Sequence, residues 1–440
     1  MTVSAYLLSL GCAKNQVDGE AMAGALARAG YTLTEDPAQA RVIIVNTCGF
    51  IEAAKEESIA AMLQAAQYKE TGSCRLLVCA GCMAGKYARE LAEAMPEVDV
   101  FVAPGDFADL LRQIGKRLAV PAVSALPAGE NWYLHRRRAA PGHSAYIKIA
   151  EGCDNHCSYC LIPQLRGAYV SRPLEDILAE AALLAEQGVQ EAVLVAQDTA
   201  GYGLDLYGRR SLYRLLESLA ALPLPMIRVL YLYPTDIDED LLRVMAAHEN
   251  ICDYFDIPVQ HGDDRILAAM NRRGNRRQIL DKIALIRRYL PQAVLRTTAM
   301  VGFPGETEES FANLLDFVEQ ARFDWLGAFA YSAEEDTPAA ALPGQIAPAV
   351  KAQRLNRLME AAAQITAAKR QAWVGRQVRV LTDGPAEAEY GPGWYKGRSW
   401  AEAPEVDGVI YFRGENLRPG DWAPVRITGA ETFDLVGETL

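Results

Sequence analysis

Apolar, β-branched segments alternate with helical patterns along most of this chain of 440 residues. Because each strand-like segment is followed by a helix-like one, successive strands cannot pair as hairpins and should form parallel sheets with helical crossovers. Four such pairs in roughly the first 120 residues predict one α/β unit. Six more strands between residues 145 and 330 predict a parallel sheet curved into a partial (βα)-barrel, and a long helix is predicted over 349–373.

The last 67 residues or so have a different pattern. Short strands over 378–381, 408–412 and 422–427 are separated by Gly, Pro and Asp-Gly turns, which predicts a small antiparallel β-barrel of the OB kind. Prolines, small residues and three consecutive arginines at 136–138 predict a surface linker before the central barrel, with the arginines on a solvated face. The predicted domains are therefore an N-terminal parallel-sheet domain, a linker, a partial (βα)-barrel domain and an antiparallel barrel, over 1–120, 121–143, 144–372 and 373–440.

The composition indicates the cellular compartment and the kind of partner. No apolar run approaches the ~18 residues that cross a bilayer, and the Leu-Ser-Leu-Gly before Cys12 lacks the basic residues and long apolar stretch of a lipoprotein signal. We therefore expect a cytoplasmic protein with no membrane partner, whose nine cysteines stay reduced and serve metal binding or redox chemistry. The formal net charge of -12 disfavours polyphosphate partners and favours a basic one.

The strongest motif is a CxxxCxxC formed by Cys153, Cys157 and Cys160, directly after the predicted strand 146–150. Three thiolates on one tight loop can bind three corners of a cubane iron–sulfur cluster, which normally takes four cysteines. Because no fourth cysteine lies nearby, one iron stays open for a chelating ligand. The motif also lies at the carboxyl end of a strand, where parallel sheets bind ligands. A zinc site completed by His156 is the alternative.

A second group consists of Cys12, Cys48 and Cys82, which are far apart in the sequence. Each lies just past the end of a predicted strand, and in a parallel sheet these ends share one edge, so the three thiols can converge. A helical pattern follows each, and helix N-termini favour thiolate. The group either holds a second cluster or consists of unrelated buried cysteines. The three other cysteines, which we interpret as packing residues, are Cys74, Cys79 and Cys252.

The CxxxCxxC loop resembles the radical-SAM superfamily, and two cysteine trios followed by a small barrel resemble its methylthiotransferase family. The resemblance covers essentially the whole chain. The motifs that carry it are SLGCAKN at 9–15, VNTCGF at 45–50, GC at 81–82, the CxxxCxxC loop and GFPGET at 302–307. Within the family, CAKN, CGFI and FDIPVQH (255–261) look like the RimO branch, whereas the tRNA-modifying MiaB branch more often has CQMN at the first site.

The resemblance implies an N-terminal cluster domain, a radical-SAM domain and a C-terminal TRAM barrel. It implies two [4Fe–4S] clusters, one for each trio, and two uses of S-adenosylmethionine. One is methyl donation to sulfur held at the first cluster; the other is reductive cleavage to a radical that attacks an unactivated C–H bond. In the RimO branch that bond is on the β-carbon of one aspartate in ribosomal protein S-twelve. An electron donor such as flavodoxin or ferredoxin is also implied.

Three further residues are candidates for contact with S-adenosylmethionine. Tyr159 stands where the family places an aromatic side chain against adenine. Gln197 ends the second barrel strand, and the backbone of Gly302 follows another, although an ordinary tight turn would equally explain that glycine. The arginines within 272–277 are interpreted as the solvated flank of a helix.

Charge favours a protein substrate over tRNA. From Trp373 onward the chain has seven cations and eleven anions, a balance of -4. A barrel that binds tRNA should be basic, whereas an acidic barrel suits a highly basic ribosomal protein. A tRNA methylthiotransferase with the same chemistry, a non-catalytic iron–sulfur or zinc protein, and an acidic surface without a partner are the alternatives.

Two motifs depart from the family. The usual Asp-Ser-Glu after the first cysteine is Asp-Gly-Glu at 18–20, and the usual Arg-Ser-Arg after the loop is Val-Ser-Arg at 170–172. The second departure removes one positive charge and puts a role for that arginine in doubt, without affecting the proposed cluster ligands.

Overall fold

The computed structural model describes residues 3–118, 131–138 and 142–440. It divides into two compact units. As far as residues are described, unit 1 comprises 1–140, 151–154 and 160–172, and unit 2 comprises 141–150, 155–159 and 173–440. A search of these residues finds no helix with the length and apolar character needed to traverse a membrane.

Unit 1 is built on a parallel sheet of five strands in the order β2-β1-β3-β4-β5, as the alternation predicts. Alternate residues of the central strands pack into two separate apolar cores, one on each face of the sheet, so β3 and β4 are buried throughout. The elements are β1 (Ser4–Ser9), α1 (Ala13–Arg28), β2 (Thr32–Leu33), β3 (Val42–Thr47), α2 (Glu52–Ala66), α3 (Tyr68–Thr71), β4 (Leu76–Gly81), α4 (Cys82–Ala94), β5 (Val100–Val102) and α5 (Phe107–Leu118).

Residues 131–138 of the predicted linker belong to unit 1, whereas Gly142 and His143 belong to unit 2. A 3₁₀ turn places the rings of Trp132 and Tyr133 edge-on to Phe107, each with ring centroids 6.3 Å apart. Arg136 pairs with Glu20 at 3.3 Å, and only 3% of its side chain is exposed. The prediction of a solvated arginine is therefore wrong for Arg136, because a buried carboxylate partners it. The rest of the predicted linker, 121–130 and 139–141, lies outside the described residues.

Six parallel strands form the predicted partial barrel. They make two sheets of three, β10-β9-β6 and β11-β12-β13, and a single bridge from Ile227 to Ile251 continues the first sheet. The elements are β6 (Ser144–Lys148), β7 (Ala150–Glu151), α6 (Ile162–Arg166), β8 (Val170–Ser171), α7 (Leu174–Glu186), β9 (Glu191–Val195), α8 (Leu204–Tyr207), α9 (Leu212–Ala220), β10 (Met226–Val229), α10 (Glu239–Ala247), β11 (Tyr254–Asp256), α11 (Asp264–Ala269), α12 (Arg276–Tyr289), β12 (Val294–Val301), α13 (Glu308–Ala321), β13 (Trp325–Ala330) and α14 (Pro348–Gln371). Helix α6 and strand β8 belong to unit 1.

The C-terminal segment closes into a five-stranded barrel in the order β14-β15-β16-β18-β17. Four neighbouring pairs are antiparallel, as predicted, and the β16–β18 pair is parallel. The strands are β14 (Gln377–Pro385), β15 (Trp394–Arg398), β16 (Ile410–Arg413), β17 (Trp422–Ala430) and β18 (Leu435–Thr439). Strands β15 and β18 were not predicted, because each is short and interrupted by glycine and charged residues.

Ion pairs within unit 2 use several charges of this barrel. Arg398 binds Asp383 and Glu191, Glu402 binds Arg370, and Asp407 binds Arg296. Four of these paired residues belong to the barrel: Arg398, Asp383, Glu402 and Asp407. Without them, six cations and eight anions remain from Trp373 onward, so the acidic excess at the barrel surface is smaller than the sequence count.

Candidate functional site

The first cysteine trio lies at one edge of the sheet in unit 1. Cys48 and Cys82 follow directly on β3 and β4, and Cys12 follows β1 after two residues. These three strands are adjacent in the strand order, so their carboxyl ends meet at one edge. The structure thus brings the three predicted ligands together. Cys12 is exposed, Cys48 is partly buried and Cys82 is buried.

Glycines make this approach possible. Gly11 has φ +88°, and a Cβ there would lie 2.8 Å from Cys48 Cβ and 3.1 Å from its sulfur. Gly81 also has φ +88°, and a Cβ there would lie 2.4 Å from Asn46 Oδ1. Both cysteines that follow these glycines therefore depend on a backbone conformation and a clearance that only glycine provides.

Two polar side chains hold the cysteine loops together. Asn15 donates to the carbonyls of Leu10 and Asn46 at 2.6 and 3.2 Å, which ties the end of β1 to β3. Buried Ser58 donates to Cys48 O at 3.0 Å and accepts from Cys48 N at 3.1 Å. Neither role was predicted, although Asn15 belongs to the CAKN motif.

The three thiols of the first trio differ in pKa. Desolvation would raise the pKa of the Cys12 thiol, but Lys14 and Arg166 outweigh it and lower the pKa below its ordinary value. Burial raises the pKa of Cys48, although a hydrogen bond from the backbone N–H of Phe50 acts to lower it. Burial also raises the pKa of Cys82 to about 11, although the charge of Arg166 acts to lower it. In the absence of metal, the exposed member is thus the most readily ionised.

The second trio begins after a glycine of unit 1 that lies in the left-handed backbone region. Gly152 has φ +73°, and a Cβ there would lie 2.1 Å from Ala168 O and 2.6 Å from Gly167 O. The next residue, Cys153, donates its N–H to Gly167 O at 3.3 Å. Cys160 accepts from the N–H of Ile162 at 3.5 Å. The segment 160–167 therefore folds back to support Cys153.

The middle of the loop, residues 155–159, is held within unit 2. Ser158 N donates to Met270 O at 2.9 Å, and Asn271 donates to His156 O at 2.8 Å. Arg272 Nη1 lies 3.8 Å from the sulfur of Cys157. The segment after α11 thus fixes the second predicted ligand of this trio.

The predicted solvated flank at 272–277 is wrong for Arg272, whereas Arg273, although paired, keeps an exposed side chain. Arg272 lies with its guanidinium 4.3 Å from the centre of the Tyr233 ring, and Arg273 forms two bonds of 2.9 and 2.7 Å with Asp236. Arg277 is exposed, as predicted. Carboxylate and aromatic partners about 40 residues earlier, which no local pattern reveals, explain the difference.

The residue that follows the loop, Leu161, packs on the first trio inside unit 1. Cys82 shares one apolar cluster with Leu161 and Leu165, and Leu161 is the neighbour of Cys160. Cys160 of the second trio is therefore next in the chain to a residue of the core around Cys82.

The three predicted cofactor contacts all lie in unit 2. Tyr159 packs on the apolar cluster that contains Phe303, the neighbour of Gly302. Gln197 follows β9, and its neighbour Asp198 accepts from Asn155 of the cysteine loop at 2.8 Å. Gly302 has φ +71° and its N–H donates to Glu306, so a tight turn accounts for this glycine; cofactor contact by these residues stays a prediction.

The donor set of each trio suits an iron–sulfur cluster. Three cysteine sulfurs can bind three irons and leave the fourth for another ligand. Within the described ranges, no three His, Cys, Asp or Glu side chains stand in the arrangement that would hold a single metal ion. A cluster needs no such arrangement, since each cysteine binds a different iron.

The Gly152 geometry gives a direct test of the loop. In Gly152→Ala, the left-handed backbone alone costs about 1–3 kcal/mol, and the collision with Ala168 O should displace Cys153. We expect the iron retained after anaerobic reconstitution to fall by about half, measured per chain, because one of two clusters loses a ligand.

Gly188→Ala is the matched control, because Gly188 also has a positive φ of +87° but has nothing within 4 Å of an added Cβ. This variant should lose stability and keep its iron. Equal iron content in the two variants would contradict the assigned role of Gly152.

Family models match three parts of the chain. The Radical SAM superfamily model covers residues 147–318, the model described as uncharacterized protein family UPF0004 covers 4–103, and the TRAM domain model covers 374–440. Each match falls inside one of the predicted domains, whose exact limits remain predictions.

Relatives match over the whole length. Proteins from Heliobacterium modesticaldum and Pelotomaculum thermopropionicum are each 46% identical over 100% of this chain, covering 96% and 100% of their own lengths. A protein from Clostridioides difficile is 46% identical over 99% of this chain and 98% of its own. All three are named "Ribosomal protein uS12 methylthiotransferase RimO".

Solved structures share the fold. The radical S-adenosylmethionine methyltransferase TsrM from Kitasatospora setae, solved with cobalamin and a [4Fe-4S] cluster, matches with a TM-score of 0.58 and 15% identity over 77% of this chain and 74% of its own. OxsB, a cobalamin-dependent S-adenosylmethionine radical enzyme, matches with a TM-score of 0.52 and 12% identity over 82% and 56%.

The fold, the cysteine loop and these matches define a radical SAM enzyme with a TRAM barrel, a class that uses S-adenosylmethionine and an iron–sulfur cluster. Its chemistry is that of a transferase. The chain belongs to the RimO family of methylthiotransferases.

Proposed function

We propose that this chain transfers a methylthio group to the β-carbon of one aspartate in ribosomal protein uS12. The observation that carries the proposal is its 46% identity, along its entire length, to relatives named for uS12 methylthiotransfer. The tRNA-modifying alternative has no support among these relatives. The net charge of -12 and the acidic barrel agree with a basic protein substrate.

The proposed site consists of two [4Fe–4S] clusters, one held by Cys12, Cys48 and Cys82 and the other by the CxxxCxxC trio. Support comes from the adjacent strand ends of the first trio and from the shared core of Cys82 and Leu161. When bound, cluster and S-adenosylmethionine supply radical chemistry that side-chain acids and bases cannot provide.

The chain's own residues then have three tasks. The cysteines hold the metal, and the tight loops beside Gly11 and Gly152 hold the cysteines. Tyr159, Gln197 and the backbone of Gly302 are proposed to orient S-adenosylmethionine. Of the first trio, Cys82 is buried and would hold its side of the cluster away from water, which limits side reactions there. Electrons are proposed to come from a donor such as flavodoxin or ferredoxin, and the modification to occur in the cytoplasm.

Mass spectrometry of uS12 and of tRNA from a strain lacking this gene tests the substrate. We expect uS12 to lose its methylthio group completely and tRNA to keep its modifications, because the barrel carries no excess of cations. The full chain should restore the modification, and a Cys153→Ala chain, expressed to the same level, should not.

A methylthio group lost from tRNA alone would reject the protein substrate. Restoration of uS12 modification by the Cys153→Ala chain would reject the proposed cluster ligand.

A further inference from the structure

One arginine in unit 1 contacts the first cysteine trio directly. Arg166, at the end of α6, has 1% of its side chain exposed, and its Nε donates to the sulfur of Cys82 at 3.2 Å. Its charge also acts on Cys12 and Cys48. A guanidinium hydrogen bond to a cluster-ligating sulfur would survive metal binding, because the thiolate keeps lone pairs as an acceptor.

Both Nη atoms of Arg166 also have partners, which fix its position. Nη1 lies 2.9 Å from Asp18 Oδ2 and 2.9 Å from Glu151 Oε2, and Nη2 donates to Asn15 Oδ1 at 3.0 Å. Asn15 is also the residue that ties β1 to β3. The planar guanidinium therefore has one orientation, and in that orientation one N–H points at sulfur.

The local chain connects this arginine with the second trio. Arg166 lies six residues after Cys160, and its neighbour Gly167 accepts the N–H of Cys153. Helix α6 also contributes Leu165 to the core around Cys82. A displacement of α6 would therefore change both the loop of the second trio and the hydrogen bond to the first.

We propose that Arg166 is a positioning residue that sets the reduction potential of the cluster held by Cys12, Cys48 and Cys82. The inference rests on the proposed function, in which that trio holds a cluster. Positive charge and an N–H donor beside a ligating sulfur stabilise the reduced, more negative cluster and so raise its potential. A purely structural arginine would need only Asp18, Glu151 and Asn15.

The test uses the full chain with all three cysteines of the CxxxCxxC loop changed to alanine, so that any remaining cluster belongs to the first trio. Arg166→Gln is compared with the unchanged Arg166 by a redox titration followed by electron paramagnetic resonance. We expect the ratio of reduced to oxidised cluster at a fixed potential to fall about tenfold, which is a shift of about 59 mV to lower potential for one electron. Arg166→Lys, which keeps the charge without the planar fork, should shift less.

Arg112→Gln is the control, because Arg112 lies on α5 of the same unit, is 73% exposed and changes the net charge equally. Its potential should not move. An Arg166→Gln chain that keeps its iron and its potential overturns the proposal. If this variant loses its iron, Arg166→Lys decides: loss of the N–H aimed at Cys82 should lower the potential by part of that shift, and an unchanged potential overturns the proposal.

Iron content and reduction potential distinguish a failure of the proposed function from a failure of the role of Arg166. If the chain with Arg166 intact and the loop cysteines removed binds no iron, the first trio holds no cluster and the proposed function fails. If it binds iron and no Arg166 variant changes the potential, only the role of Arg166 fails.

Discussion

Cys157→Ala is expected to abolish cleavage of S-adenosylmethionine and to lower the bound iron from about eight to about four per chain. Cys157 is one of three proposed ligands on a single loop, and Arg272 holds it in place. Loss of an outer-shell partner alone costs 10–100-fold in many metal sites, so loss of a ligand should lower deoxyadenosine formation by more than about 100-fold. Iron analysis and chromatography of the products after anaerobic reconstitution and reduction measure both effects.

Two other cysteine variants separate this effect from general damage. Cys252→Ala removes a buried sulfur elsewhere in unit 2 and should keep both iron and cleavage, since its thiol lies in the core. Cys12→Ala should also lower the iron to about four but leave cleavage intact, because it belongs to the other trio. Cleavage products from Cys157→Ala at the rate of the Cys252→Ala control would refute the ligand assignment.

The long periodic elements could be predicted from the sequence. The apolar run at 294–301 becomes β12 with the same limits, and the helical pattern from Leu174 becomes α7. Both signals are strong because the strand is buried on both faces and the helix keeps its apolar residues on one side. Strand β18 carries too short a pattern to be separated from a loop.

The parallel sheet alone predicts that the three cysteines of the first trio lie at one edge. The order of the strands could not be predicted, and it decides the result: β1, β3 and β4 are adjacent, so the three cysteines follow three neighbouring strands. A different order would have separated them by a strand's width.

The supporting residues could not be predicted, because their partners are distant in the sequence. Arg166 and Cys82 are 84 residues apart, and α6 has only five residues, too few to show periodicity. The departure at Gly19 has a similar origin: a Cβ there would lie 2.0 Å from Ser9 Oγ, so in this chain glycine suits the site. Each depends on tertiary packing, which a local pattern does not encode.

Glu191→Gln is expected to destabilise unit 2 by about 3–5 kcal/mol. Glu191 is fully buried on β9, accepts from Arg228 Nε at 2.8 Å and accepts from Arg398 Nη1 at 2.5 Å. Without the carboxylate, Arg398 keeps Asp383, but Arg228 keeps only neutral acceptors such as the carbonyl of Trp400. A buried cation without its anion should lower the thermal midpoint by roughly 10 °C, measured by calorimetry.

The acid dependence of stability has a defined sign. Burial would raise the pKa of Glu191, but Arg398 and Arg228 outweigh it and hold the pKa below its ordinary value. A carboxylate with a lowered folded pKa stabilises the fold at neutral pH, and this contribution is lost as the pH falls through the folded pKa. Glu191→Gln should therefore be less sensitive to acid than the unchanged chain.

Two further variants decide whether the cost comes from the unpaired charge. Glu217→Gln makes the same chemical change on the exposed face of α9 and should leave the midpoint within about 1 °C, because surface substitutions rarely exceed about 0.5 kcal/mol. Adding Arg228→Met to Glu191→Gln removes the stranded cation and should recover part of the loss, since apolar replacements of buried ion pairs are often tolerated. A double variant less stable than Glu191→Gln would instead mean that the carbonyl bonds of Arg228 dominate, and the electrostatic explanation would be wrong.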